Sequence, residues 1–128
     1  METGIRGYAE TVVDQTNIAS AVGSGLLDVY STPSMIALME KAAADSVAPY
    51  LEEGQGTVGM RMEADHLAPT PLGQKVRAET ELIEIDRRVL TFQIEVFSKK
   101  EKIGSAVHKR CIILNDRFLQ KMHAKYGE

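Results

Sequence analysis

Three side chains whose types suit hydrolysis, Thr32, Glu40 and His66, flank one long amphipathic segment and the strand expected after it. A carboxylate and an imidazole make an acid/base pair, and a threonine hydroxyl adds a nucleophile or a positioning group. If the three converge, the chain is a small hydrolytic enzyme. Each also has a plainer reading. Thr32 before Pro33 resembles a helix cap, a lone Glu at the edge of an apolar arc is usually solvated, and His66 beside Asp65 could lie on the surface. As a catalytic base, His66 would need a pKa near working pH, which a neighbouring carboxylate could tune.

The element that positions Glu40 is the stretch PSMIALMEKAAADSVAPY, which reads as a nearly apolar helix over Pro33–Tyr50. At ~100° per residue, Met35, Ile36, Leu38, Met39, Ala42, Ala43, Ser46, Val47 and Tyr50 share one broad arc. Glu40 falls about 20° beyond Val47, at the margin of that arc. Ser31 or Thr32 can cap the helix, with Pro33 at its first position, where a missing N–H costs nothing. Pro49 weakens the last turn, and EEGQG ends the pattern. Ahead of the helix, Gly7–Asn17 favours a strand, and the glycine-containing segment from Ser20 to Ser31 is a candidate lid.

After the helix the chain becomes sheet. TVGMRMEADHLAP, QKVRAETELIEID, RVLTFQIEVFSK and KIGSAVHKRCIIL are separated by turn signals and read as four antiparallel strands. Leu90, Phe92, Ile94 and Val96 alternate with polar residues, as do Val76, Ala78, Thr80 and Leu82, so one face of the sheet is apolar. The Leu82–Ile83 pair changes the phase, which predicts a bulge or strong bend. Gly59 inside TVGMRM calls for either a bulge or a close backbone approach, and an amide there could face a substrate carbonyl. His108 is expected on the sheet surface. Asn115–Tyr126 reads as a short terminal helix or a frayed tail.

Composition narrows the function classes. One domain spanning residues 1–128 is expected, and a 44% hydrophobic chain can bury a core. Fifteen basic and 18 acidic residues are scattered to a net −3, leaving no basic stripe for nucleic acid. A single cysteine, Cys111, suits a buried structural thiol. His66, His108 and His123 show no metal spacing, and no metal is expected. No apolar run approaches a membrane span, so a soluble cytoplasmic protein is expected. An initial strand, one helix and four strands make an α+β order in which the sheet can wrap the helix. The uncovered face or edge then favours a homodimer.

Thr32, LMEKAAADSVAPYLEEGQGTVG from Leu38 to Gly59, ADHLAPTPLG around His66 and IGSAVHKR from Ile103 to Arg110 together resemble the hotdog-fold thioesterases of the fluoroacetyl-CoA thioesterase type. The resemblance covers about three quarters of the chain. It implies an antiparallel sheet wrapped around one long central helix and hydrolysis of a small or short-chain acyl-CoA to free acid and coenzyme A, with no cofactor. It also implies a catalytic Thr32/Glu40/His66 set, in which Glu40 and His66 meet across a dimer interface. Gly59 falls beside the thioester carbonyl, and Arg110 matches a substrate-binding position. A noncatalytic acyl-CoA-binding or ligand-sensing hotdog domain is the alternative. A hydratase fits less well, lacking its Asp-then-His motif. The Ser20–Ser31 segment departs from the aromatic-rich lid of that family, having only Tyr30.

Overall fold

The computed structural model describes residues 1–127. Its organising element is helix α2, which begins where the side chains dictate: Ser31, in extended backbone, accepts a hydrogen bond from the Ser34 amide at 3.1 Å and serves as the N-cap. Helix α2 spans Thr32–Val47, so Thr32 is its first residue and Pro33 its second, one place later than expected. A 3-10 turn, Ala48–Tyr50, replaces the last expected turn around Pro49, which has no N–H to continue the ladder. Met35, Leu38, Met39, Ala42, Ala43 and Val47 form the buried stripe.

A single five-stranded antiparallel sheet receives that stripe. Its strands are β1 (Arg6–Val12), β2 (Gln55–His66), β3 (Lys75–Asp86), β4 (Val89–Phe97) and β5 (Lys102–Leu114), in the order β1-β3-β4-β5-β2. β1 stops short of the expected Asn17 because Asp14, Thr16 and Asn17 bond one another in a turn: the Thr16 amide donates to Asp14 Oδ1 and the Asp14 amide to Asn17 Oδ1. The inward residues Val76, Ala78, Leu82, Leu90, Phe92, Ile94 and Val96 are fully buried against the helix. Each large apolar side chain in this layer contributes ~1.5–3 kcal/mol through burial. Gly7 allows β1 to reach the helix, since a Cβ there would overlap the Ser46 side chain and sit 3.0 Å from the Ala42 carbonyl.

Two register shifts shape the sheet. One falls between Leu82 and Glu84, where the apolar alternation changes phase as expected. The other falls between Gly59 and Arg61 and takes Met60 out of pairing with β5. β2 pairs with β5 alone, Gly59 opposite Arg110 and His66 opposite Gly104, so its other side is an open sheet edge. Ahead of α2, a short helix α1 (Ala19–Val22) and two bridges, Ile18 to Tyr30 and Val29 to Pro71, organise part of the expected irregular lid. Leu26 projects from it, 94% exposed. A helix, α3 (Asn115–Tyr126), closes the chain with no buried residue. Among the described residues no helix is long and apolar enough to cross a membrane.

Candidate active site

Thr32 and His66 meet within one chain. The helix start turns the Thr32 hydroxyl toward the end of β2, where Thr32 Oγ1 lies 2.8 Å from His66 Nδ1. Because Ser31 does the capping, Thr32 is free for this contact. The Tyr30 ring stands edge-on to the imidazole with centroids 6.5 Å apart, and its hydroxyl donates to the Ser34 carbonyl. Burial raises the Tyr30 phenol far above its ordinary pKa. His66 Nε2 is sealed from solvent with no partner at hydrogen-bond distance. Burial lowers the His66 pKa below 6.5, with the Ala68 backbone opposing it by favouring a proton on the ring. With that proton on Nε2, the Nδ1 lone pair accepts from Thr32. The expected tuning of His66 by an adjacent carboxylate is replaced by burial, opposed by the Ala68 backbone. A cleft of about 330 Å³, bounded by Tyr30, Ala68 and Pro69, opens on this pair.

Glu40 belongs to a second cluster farther along the same face. Arg110, buried on β5, donates from Nη1 to Glu40 Oε2 at 3.3 Å and to His108 Nε2 at 3.1 Å. Its Nε and Nη2 donate to the Thr57 hydroxyl and carbonyl at 2.9 and 3.1 Å, so the guanidinium is held on both sides. His108 Nδ1 lies 2.7 Å from the Arg61 carbonyl, which can only accept, so the proton is on Nδ1 and Nε2 receives Arg110. This His108 is neutral, and its 3.9 Å approach to Glu40 is not an ion pair. Burial, aided by the Arg110 charge, lowers its pKa below 6.5, against the Arg61 carbonyl and Glu40.

Glu40 is half-exposed at the margin of the helix, as the wheel placed it. Its carboxylate packs on Gly59: a Cβ there would lie 2.5 Å from Glu40 Oε2. Gly59 therefore meets both demands for a strand glycine, a bulge and a close approach. The structure thus sorts the expected site residues into a Thr32/His66 pair and a Glu40/Gly59/Arg110 cluster, and no contact joins Glu40 to His66 within the chain.

Two expectations are corrected. His108 is buried at 1% exposure, not on the sheet surface, because it shares the inward parity of Gly104, Ala106 and Arg110 on β5. Those small neighbours were the available signal. Cys111 is only partly buried, because it has the opposite parity. Thr57 was missed altogether, and only its pairing position two residues from Gly59 marks it. Among the described residues no group of three His, Cys, Asp or Glu could hold a metal ion.

Comparison with known proteins bears on this geometry. The family model described as fluoroacetyl-CoA-specific thioesterase matches residues 13–116. The fluoroacetyl-CoA thioesterase of Streptantibioticus cattleyicolor is 35% identical over 98 residues, which are 77% of this chain and 70% of that one. A solved structure of a fluoroacetyl-CoA thioesterase variant in complex with acetyl-CoA superposes with a TM-score of 0.92 at 29% identity, over 98% of each chain. A hot-dog-like protein from Thermanaerovibrio acidaminovorans, 18% identical, shares the fold with a TM-score of 0.90 over all of this chain and 95% of its own.

Proposed function

Since this hotdog-fold chain belongs to the fluoroacetyl-CoA thioesterase family and is an acyl-CoA thioester hydrolase, we propose that it acts on a small or short-chain acyl group as a homodimer, with sites built from both subunits. The observation that carries the reading is the division of the reactive groups along one edge strand. Glu40 packs on Gly59 near the middle of β2, and His66 ends it. Antiparallel pairing of two β2 edges centred between Met62 and Glu63 would bring the partner's His66 opposite Gly59. That pairing also satisfies the open backbone edge and covers Met60, which is 57% exposed.

In such a cleft, a water bound to the Glu40 carboxylate attacks the thioester carbonyl carbon. Its proton passes through the Thr32 hydroxyl to His66 Nδ1, the open nitrogen of a ring whose other nitrogen is enclosed. Carbonyl charge develops beside the backbone at the Gly59–Met60 bulge, where Met60 has no partner in the β5 ladder. As the C–O bond forms, the C–S bond breaks, and coenzyme A leaves as a thiolate. No cofactor enters this scheme, and a single domain carries it in the cytoplasm. The lid segment carries exposed leucines rather than an aromatic cluster, which favours general small-acyl turnover over discrimination for fluoroacetyl.

Thiol release from a panel of acyl-CoA thioesters tests the activity, and mixing variants tests the site. Glu40→Gln and His66→Ala should each lose most turnover. Thr32→Ala should lose less, because a water can occupy the vacated hydroxyl position. Equal amounts of the Glu40→Gln and His66→Ala proteins, allowed to exchange subunits, should recover about a quarter of wild-type activity, since half the dimers then hold one intact site. No recovery from exchanging dimers would reject the shared site.

A further inference from the structure

Beyond the Arg110 cluster, where β2 begins and β5 ends, lies a cleft of about 360 Å³ that the chemistry above does not use. The cleft begins at Gln55 and Ile112, the next inward residues past Thr57 and Arg110 on their strands. Leu114 and Phe118 complete an apolar wall, where α3 follows the end of β5. Arg88, Arg117 and Lys121 are its charged lining residues, all positive, in a chain whose net charge is −3. None of the three is ion-paired among the described residues. Three unpaired cations beside an aromatic ring fit a phosphorylated purine, with guanidinium groups on the phosphates and the ring against the base.

Position supplies the second constraint. At ~3.4 Å per residue, Leu114 lies about 14 Å along β5 from Arg110. An extended pantetheine arm spans such a separation. A thioester at Gly59 would thus carry its nucleotide end toward this cleft along the same face. We propose that Arg88, Arg117, Lys121 and Phe118 form the subsite for the 3′-phospho-ADP end of the coenzyme A substrate. The assignment rests on the thioesterase reading and goes beyond it, because it names the groups that recognise the leaving half of the substrate.

The test uses the full chain and the best acyl-CoA of the panel beside its acyl-pantetheine counterpart, which lacks the nucleotide. Arg117→Glu combined with Lys121→Glu should raise KM for the acyl-CoA about ten-fold or more and leave kcat unchanged. KM for the acyl-pantetheine should not move. Rising salt should weaken the wild type toward the variant for the CoA ester only. Calorimetry with adenosine 3′,5′-bisphosphate reads the cleft without turnover: wild type should bind it and the folded double variant should not. The subsite is overturned by equal KM changes for both esters, by an unchanged KM for the CoA ester, or by bisphosphate binding that survives charge reversal. A wild type that binds the bisphosphate yet cleaves no thioester would reject the catalytic reading and keep the subsite.

Discussion

At the scale of single residues, Gly59 is the point where backbone and chemistry constrain each other. A methyl group there would sit 2.5 Å from Glu40 Oε2, with His108 and Arg110 at 3.4 and 3.5 Å. The carboxylate is the far end of a flexible side chain and can yield, so Gly59→Ala should fold normally and displace Glu40. Steady-state kinetics should show kcat falling about ten- to hundred-fold, with the thermal midpoint nearly unchanged. Full activity would remove Glu40 from the cleft.

At the scale of elements, the contact between β1 and α2 depends on Gly7, where an added Cβ would collide with Ser46 and press on the Ala42 carbonyl. Neither obstacle can rotate away. Gly7→Ala should cost about 1–3 kcal/mol, read as a lower urea midpoint at an unchanged slope. Elements were also the most legible level of the sequence. The arc from Met35 to Val47 marked the helix and its buried face, and the Leu82–Ile83 change of phase marked a bulge, because both are local periodicities. The seat of β2 beside β5 was not legible. Alternation tells which face a strand buries, and its neighbour is chosen by contacts some fifty residues apart. Polar burial was hidden for a similar reason. Nothing near His108 in sequence announces that the Arg61 carbonyl, 47 residues away, will take up one ring nitrogen, and Thr32 became available to His66 only because Ser31 took the capping bond.

At the scale of the whole molecule, two histidines, His108 buried and His66 partly so, couple folding to pH. His66 and His108 both hold folded-state pKa values below 6.5, chiefly through burial. As pH falls below 6.5, the unfolded chain takes up protons that the folded chain refuses, so stability is full above that value and declines through the depressed ones. Thermal or urea midpoints should therefore drop between neutral and mildly acidic pH. His108→Gln, which keeps one donor and one acceptor but does not titrate, should flatten part of that drop. A midpoint independent of pH across this range would contradict the desolvation of the two rings. The open side of β2 carries a different consequence. If each cleft borrows its imidazole from a neighbour, a solitary folded chain is silent, and newly made protein gains activity only by encounter. At low abundance, the onset of catalysis would then rise as the square of the amount of chain present, a threshold built into one unpaired strand.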